Sequence, residues 1–411
     1  MKRQNTALRS DPLVAAIDIV SQRAELLNRA RDILPIISSN TGKTESERRC
    51  ADDNIQAMQS AGLFKMLIPK RYGGLELDFR THIEVTSVIG EACGASAWVL
   101  NLCNICSWMA SLFPDKVKDD IYGDNPNALI SGVLTPNAPG QSRRVEGGFI
   151  VSGKWYYSSG SLHADWGLIG VLETDDNNNP IGQHLALAPR SDFAIEDTWF
   201  TVGMRGSGSN CLVANEIFIP DYRMVSMPDL IEGNYSNEHT EEDLYNSAFI
   251  PAAALILVSP QLGMARAALQ LTIDMSSKRA ITYTSFAQQR DSTGFQIQLA
   301  KAAMKIETAH LHTYRAANDI DTFARSGQYM DYQTRARVRA DAGVALKNVT
   351  DALQDLLFAH GAGSFAESSP MQRIWRDSNT AARHAVTLPA ISEEVYGKAL
   401  LGVENTVTVL V

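Results

Sequence analysis

Cysteine is scarce in this sequence, and its pattern excludes a small secreted fold held by disulfides. There are five cysteines in 411 residues, an odd number without regular spacing, as is usual in a reducing cytoplasm. Cys103 and Cys106 have the spacing of a redox pair, but they lie in the middle of an apolar stretch and no second pair exists. We therefore predict a cytoplasmic protein in which these two thiols are buried and inert.

Excess positive charge and long hydrophobic runs are lacking as well. The formal net charge is −9, so the chain has no electrostatic footprint for nucleic acid. The longest apolar run, residues 248–258, contains Pro251 and is too short to span a bilayer. The polar start MKRQNTALRSD lacks the hydrophobic core of a signal peptide. These absences predict a soluble protein that binds neither nucleic acid nor membrane.

The histidines do not form a recognisable metal-binding pattern. His310 and His312 are two residues apart, which on a helix directs their side chains to different faces. No third ligand lies near them in the sequence, so they are interpreted as surface or core histidines. The sequence predicts no metal site.

The hydrophobic pattern changes twice along the chain. Helical periodicity covers residues 13–63 and 79–113, and the tetrapeptide 44–47 has the form of a helix start. Within the second segment, residues 97–109 are apolar almost all round, as in a helix that is buried or lines an apolar cavity. Short β-rich runs separated by turn signals follow between residues 128 and 225.

After an acidic linker, the remainder of the chain is helical again. Four long amphipathic segments cover residues 248–278, 295–325, 332–360 and 371–410, as in an antiparallel bundle. We predict an α+β fold with an N-terminal helical domain over residues 1–127, a middle antiparallel β-domain over 128–228 and a C-terminal four-helix bundle over 229–411.

The stretch 153–166 is where we expect a flat ligand to bind. Strand-forming aromatic residues, including Trp155, lead into a turn of Ser158, Ser159 and Gly160. Gly160 has no Cβ, so its backbone can approach a ligand closely, and both serines can donate or accept hydrogen bonds. Aromatic faces and short polar groups suit a flat ligand with a polar edge. A strand with exposed aromatics and an ordinary turn is the alternative.

A second candidate is the glycine-serine loop at residues 203–210. A strand rather than a helix follows it, so it is not the dinucleotide-binding fingerprint. Its N–H groups and hydroxyls suit a phosphate or a heterocycle edge, and a flexible hairpin is the alternative. Further along, His384 follows Asp377 by seven residues, which on one helix would place both on the same face. A packed or capped histidine is the alternative there.

Together these segments resemble the acyl-CoA dehydrogenase superfamily from about residue 45 to the C-terminus. The order of helical, β and helical blocks matches. Four local motifs match as well: Pro69-Lys-Arg-Tyr-Gly-Gly74, Gly153-Lys154 with Ser158-Ser159-Gly160, Gly203-Met-Arg-Gly-Ser-Gly-Ser209 with Ile219-Pro220, and Arg376-Asp377. Residues 155–166, 372–377 and 383–384 further resemble the oxygenase components of two-component flavin monooxygenases, which hydroxylate aromatic compounds.

The resemblance implies a reaction, a cofactor and partners. Reduced flavin, FAD or FMN, would be supplied by a separate NAD(P)H-dependent flavin reductase. It would react with O2 to give a C4a-hydroperoxide, which passes its distal oxygen to a small aromatic substrate. The resemblance also implies a homotetramer in which the C-terminal bundles pack together.

The same resemblance implies site residues. Ser159 and His384 are the catalytic candidates: Ser158 and Ser159 would lie at the flavin N5 edge, and His384 would act on the substrate as acid or base with an ordinary pKa of about 6.5. The expected flavin contacts are Trp155, Ser158, Ser159, Gly160, Arg205, Gly206, Ser207 and Ser209. The expected substrate pocket consists of Asn104, Cys106, Ser107, Trp108 and His384.

Two departures from the family pattern narrow the function. An acyl-CoA dehydrogenase needs a carboxylate base, yet the two positions at which the family carries one are Ala385 and Ala253 here. That rival function therefore lacks its base. Phenol-hydroxylating members often carry a histidine on the pocket helix, whereas this chain has small neutral groups at residues 104–107. A neutral ring such as indole, whose N–H Asn104 or Ser107 would accept, is thus favoured over phenols. A helical assembly module that has lost its flavin is a further alternative.

Overall fold

The chain folds as a block of helices, a block of strands and a second block of helices. The computed structural model describes residues 12–136, 141–175, 177 and 179–411. Almost every side chain of the sixth helix is buried, which confirms the prediction for the apolar stretch. The helices of the first block are α1 (Pro12–Asp32), α2 (Leu34–Ser39), α3 (Thr41–Ser46), α4 (Asp52–Ser60), α5 (Phe79–Ala92), α6 (Gly94–Ala110) and α7 (Asp115–Tyr122).

Local capping sets the helix boundaries in this block. The side chain of Asp78 accepts the N–H of Thr81 and so begins α5. Cys93 is extended and separates α5 from α6. The helix start predicted at residues 44–47 is wrong, because α3 already ends at Ser46. The hydroxyl of Thr44 accepts the N–H of Ala51 instead of capping a helix.

The middle block forms two four-stranded sheets around a shared apolar core. One sheet has the order β1-β4-β5-β8 and the other β2-β3-β7-β6. The predicted β-domain is confirmed, and its pairs are antiparallel except that β1 pairs with β4 in parallel. The strands are β1 (Ile130–Val133), β2 (Gln141–Val145), β3 (Gly148–Ser158), β4 (Trp166–Thr174), β5 (Pro180–Pro189), β6 (Ala194–Glu196), β7 (Asn210–Pro220) and β8 (Met224–Ser226).

The last block contains the predicted helical bundle, with one correction. The segment expected at 371–410 as a single helix is two helices. The second begins at Pro389, and the residue before it has left the helical region of backbone angles, because proline disfavours a helical conformation in the residue that precedes it. His384 therefore lies in the connection between them and not on a helix face. The helices are α8 (Met227–Ile231), α9 (Phe249–Leu255), α10 (Ser259–Ser276), α11 (Thr293–Ser326), α12 (Tyr332–His360), α13 (Pro370–Ala381) and α14 (Pro389–Leu401).

One helical stretch, Phe249–Ser276, is long and apolar enough by length and composition to cross a membrane. Of its most apolar window, 83% is buried within the protein. This stretch contributes Phe249 and Leu262 to the apolar core that the N-terminal helices share with the bundle. Such burial is typical of a core helix of a globular fold.

Candidate functional site

Trp98 joins the two residues for which a catalytic role is predicted. Its Nε1–H donates to the hydroxyl of Ser159 across 3.1 Å, and its ring centroid lies 6.3 Å from that of His384. Trp98 belongs to the first half of α6, which faces the turn after β3. It is not among the residues that the sequence predicts for the site. The sequence feature that could have identified Trp98 is its indole N–H, because a buried tryptophan needs a hydrogen-bond acceptor.

His384 lies in the connection between α13 and α14 and is neutral at neutral pH. The residue is exposed, yet desolvation by the surrounding atoms lowers its pKa to about 4. The ordinary pKa expected for this histidine is therefore wrong, because the crowded surroundings disfavour the imidazolium. In the described part of the chain its ring makes no hydrogen bond.

Three serine hydroxyls form a row beside Trp98. The Oγ atoms of Ser159 and Ser209 are 2.6 Å apart, and those of Ser209 and Ser207 are 2.7 Å apart. Ser207 donates to the carbonyl oxygen of Met204 across 2.8 Å. The row thus connects the turn after β3 with the glycine-serine loop before β7. Two loops that are remote in sequence form one site.

The other two residues of the turn contact neighbouring elements. Ser158 is fully buried and donates to the Oγ of Ser131 in β1 across 3.1 Å. Gly160 has φ +76°, and a Cβ there would lie 3.2 Å from Val99 and 3.3 Å from Cys103. The close backbone approach that Gly160 allows is therefore to α6. The flavin contact expected for it stays a prediction.

Trp155 faces the β-domain core. It is 2% exposed, its Nε1–H donates to the carbonyl oxygen of Gly170 across 2.7 Å, and its ring meets Phe193 edge to face. Side chains alternate between the two faces of a strand, and Trp155 lies on the inner face of β3. The flavin contact expected for it is corrected to a core position.

The glycine-serine loop packs against the N-terminal helices. Arg205 donates to the carbonyl oxygens of Glu45, across 3.2 Å, and Thr201, across 3.1 Å. A Cβ on Gly206 would lie 2.2 Å from the methyl group of Thr44. The side chain of Arg205 is therefore committed to backbone groups. Arg205 thus supports the loop, and its expected direct contact with flavin stays a prediction.

Two of the residues expected to form the substrate pocket face other elements. Asn104 donates to the carbonyl oxygens of Leu63 and Leu100. Trp108 donates to Leu244 and stacks on Phe249. The pocket assignment is therefore corrected for Asn104 and Trp108. Ser107 donates to the carbonyl oxygen of Cys103 within α6 itself, and its place in the pocket stays a prediction.

Cys106 keeps a place near the site. A Cβ on Gly132 of β1 would lie 2.8 Å from its Sγ, so Cys106 packs against the strand that also carries Ser131. Burial raises the pKa of its thiol to about 12 and raises the pKa of Cys103 as well. Both thiols are buried and free. The prediction that they are buried is confirmed.

The Arg-Asp motif on α13 joins the last block to the other two. Asp377 accepts the N–H of Met204 across 2.6 Å, and Arg376 pairs with Glu45 at 2.5 Å. Asp377 is buried, and desolvation raises its pKa to about 6. The motif therefore anchors Met204, the residue whose carbonyl oxygen ends the serine row.

Exposed aromatic side chains lie on the surface next to the turn. Tyr156, Tyr157 and Phe200 are 46%, 59% and 69% exposed. The rings of Tyr157 and Trp199 are 5.2 Å apart, and the guanidinium of Arg48 lies 4.0 Å above Phe200. Exposed aromatic patches of this kind mark surfaces that bind ligands or proteins.

The histidines considered as metal ligands have other partners. His310 is buried beside Arg266 and Tyr314, and His312 contacts Asp341. Within residues 12–136, 141–175, 177 and 179–411, no group of three or more His, Cys, Asp or Glu is placed to hold a metal ion. The site described here is built from serines, rings and one histidine.

Two family models match the chain: the N-terminal domain of acyl-CoA dehydrogenases over residues 30–117 and their C-terminal domain over residues 255–389. The oxygenase subunit HsaA of Mycobacterium tuberculosis, a flavin-dependent monooxygenase, is 29% identical over 378 residues, which are 90% of this chain and 94% of HsaA. The indole-3-acetate monooxygenase of Pseudomonas putida is 28% identical over 361 residues, 88% of each protein.

A solved structure is similar along nearly the whole chain. XiaF from Streptomyces sp., in complex with FADH2 and glycerol, has a TM-score of 0.90 and 35% identity. The likeness covers 96% of this chain and 99% of XiaF. Fold, motifs and relatives agree, and the chain belongs to the acyl-CoA dehydrogenase superfamily, among its flavin-dependent monooxygenases.

Proposed function

We propose that this monooxygenase hydroxylates or epoxidises a small neutral heteroaromatic compound, with indole favoured and phenols next. The observation that carries the proposal is the imidazole of His384, which lies beside Trp98 and is neutral. A neutral imidazole accepts one hydrogen bond and donates another. It offers no positive charge to a phenolate, and burying that anion without a partner is costly. Indole needs no deprotonation before it reacts.

The residues around Ser159 fit the ring system of a flavin. The hydroxyl of Ser159 is available for the N5 edge, the indole of Trp98 stands beside it, and the exposed Tyr156 and Tyr157 offer flat faces nearby. When bound, reduced flavin supplies with O2 the oxygen atom that the substrate receives. FAD and FMN share this ring system, so both fit equally well.

The protein's own residues bind, orient and exclude water. Ser159 holds the flavin edge, and His384 orients the substrate through its N–H or O–H group. Trp98, Val99 and Cys103 form an apolar wall of α6 behind the turn. A dry site matters because water would divert the reducing equivalents to hydrogen peroxide. We place the acceptor for an indole N–H at His384, whose ring lies beside Trp98 and makes no hydrogen bond within the described residues.

Acyl-CoA dehydrogenation, the rival function, still lacks a base. Ala253 lies in α9, and Ala385 opens the short turn after His384. Neither methyl group can take a proton from a substrate. No observation of the site favours this function.

The proposal includes partners. As in a two-component system, an NAD(P)H-dependent flavin reductase would supply the reduced flavin in the cytoplasm. A homotetramer is supported by an exposed apolar stripe on α11, where Ile297, Met304 and Leu311 are 51%, 66% and 71% exposed. Their spacing of seven residues places them on one helix face, and exposed stripes of this kind pack against other subunits.

The substrate preference is tested in a coupled assay with a flavin reductase. Indole and 4-hydroxyphenylacetate are supplied in parallel, and product and hydrogen peroxide are measured for each. We expect faster and better-coupled oxidation of indole, visible as indigo. Faster, better-coupled hydroxylation of the phenol would show that the neutral site has been misinterpreted.

A further inference from the structure

We infer that the hydroxyl of Ser159 is held as a hydrogen-bond acceptor toward the flavin by a one-way chain of hydrogen bonds from Trp98 to Met204. The inference deepens the proposed function and rests on its placement of Ser159 at the flavin N5 edge. It makes Trp98, Ser207 and Ser209 positioning residues. None of these three needs to touch the substrate for the effect.

Each serine hydroxyl has one proton to donate, and this count fixes the direction of the chain. The proton of Ser207 goes to the carbonyl oxygen of Met204 at 2.8 Å, because two oxygens at that distance without a proton between them would repel. Ser207 must then accept from Ser209, at 2.7 Å. The proton of Ser209 is thereby used, so Ser209 accepts from Ser159, at 2.6 Å.

The first link of the chain is compatible with this direction. The indole N–H of Trp98 can only donate, and it donates to Ser159 across 3.1 Å. Ser159 therefore gives its proton to Ser209 and receives one from Trp98. A single lone pair of Ser159 remains for a ligand. Toward a ligand, Ser159 can therefore accept a hydrogen bond but cannot donate one.

The chain ends at a carbonyl that other donors already occupy. The oxygen of Met204 also receives the indole N–H of Trp199 across 2.8 Å and the backbone N–H of Ser207 across 3.0 Å. Asp377 holds the N–H of the same residue, Met204. A peptide carbonyl takes up no proton near neutral pH, so the chain cannot carry a proton away from the flavin.

Burial keeps the chain from reorganising. The exposed fractions of Trp98, Ser159, Ser207 and Ser209 are 6%, 4%, 1% and 2%. The N–H of Gly160 donates to the carbonyl oxygen of Ser207 across 2.9 Å and ties the two loops together. Without ready access to water, a reversed chain would leave a buried group unpaired, which is costly.

An acceptor at this position distinguishes the two redox forms of a flavin. Reduced flavin carries an N–H group at N5, which can donate a hydrogen bond to the oxygen of Ser159. Oxidised flavin presents a lone pair at N5, which meets the remaining lone pair of Ser159. The site therefore favours the reduced form that a separate reductase delivers. It also favours release of the oxidised form after turnover.

The test measures the dissociation constants of oxidised and of anaerobically reduced FMN and FAD. In the wild type we expect the reduced form to bind more tightly. Ser209→Ala frees the proton of Ser159 to donate to N5 of the oxidised form. The ratio of oxidised to reduced dissociation constants should fall roughly three- to tenfold, the effect of about one hydrogen bond. Ser207→Ala should lower the ratio in the same way, because Ser209 then donates its proton to Ser159. This second variant replaces Ser209→Ala in the test if Ser209→Ala does not fold.

A control variant separates the polarity of the chain from general damage to the site. Ser161→Ala removes a buried hydroxyl of the same turn that has no hydrogen-bond partner in the described structure, and it should not change the ratio. An equal fall in this control would overturn the inference.

The possible outcomes distinguish a failure of this inference from a failure of the proposed function. If the wild type oxygenates an aromatic substrate and neither Ser209→Ala nor Ser207→Ala changes the ratio, the chain polarity is wrong and the function stands. If the ratio falls but no aromatic substrate receives oxygen, the polarity stands and the proposed function fails. A wild type that binds neither form of either flavin overturns both.

Discussion

At the scale of single residues, the proposed chemistry depends on a histidine that stays neutral. Because desolvation lowers the pKa of His384 to about 4, its neutral form persists through the physiological range. The wild type should therefore show no loss of coupled product near pH 6.5, and the acidic limb due to this residue should lie near pH 4. His384→Ala should bind reduced flavin but lose most product at all of these pH values. A step at pH 6.5 that disappears in the variant would contradict the lowered pKa.

The two serines of the turn should differ in importance. Ser159 faces Trp98 and the serine row, whereas Ser158 is paired with Ser131. Removing a hydrogen bond worth about 0.5–1.5 kcal/mol at the flavin edge should raise the share of hydrogen peroxide. We expect this rise for Ser159→Ala and little change for Ser158→Ala, measured as peroxide formed per product. An equal rise in peroxide formed per product in both variants would show that both serines hydrogen-bond to the flavin edge.

At the scale of elements, burial on α13 gives Asp377 a pH-dependent contribution to folding. Its pKa is raised from 3.8 to about 6, first by desolvation. The folded chain therefore takes up this proton before the unfolded chain does, and stability due to this group increases as the pH falls below about 6. Between pH 7.5 and pH 5 the gain should be on the order of 1 kcal/mol.

Asp377→Asn removes the titration but keeps an oxygen that can accept the N–H of Met204. Urea unfolding of both proteins at the two pH values measures the difference in their free energies of unfolding. Lowering the pH should increase the free energy of unfolding of the wild type relative to that of the variant. A difference that does not change with pH would show that the carboxyl does not titrate in this range.

The order of the elements follows from the sequence, but the directions of several side chains do not. The change from helical periodicity to short β-rich runs is local and readable. In β3, by contrast, Trp155 and the exposed Tyr156 and Tyr157 are equally good strand formers, and only the second sheet decides which faces the core. The apolar sequence of α6 likewise gives no sign that Trp98, not Asn104, meets Ser159. That pairing depends on a loop sixty residues away.

At the scale of the whole molecule, the stripe on α11 predicts an assembly. Met304 lies at its centre and is 66% exposed. Met304→Lys should dissociate the assembly, because a charge buried in an apolar interface lacks a partner. Light scattering after size exclusion measures the mass. The control Gln296→Lys adds the same charge at an exposed residue of α11 outside the stripe and should leave the assembly intact. A wild type that is monomeric would contradict the proposed tetramer.

The measurement that tests the central claim most directly follows the oxygen atom. The protein is mixed with chemically reduced flavin and an aromatic substrate, without reductase, under O2 enriched in heavy oxygen, and the product is analysed by mass spectrometry. The account predicts that the oxidised product of indole carries heavy oxygen from O2, and that its yield falls in Ser159→Ala and His384→Ala. Reoxidation of the flavin with hydrogen peroxide as the sole product, or a product whose oxygen derives from water, would contradict it.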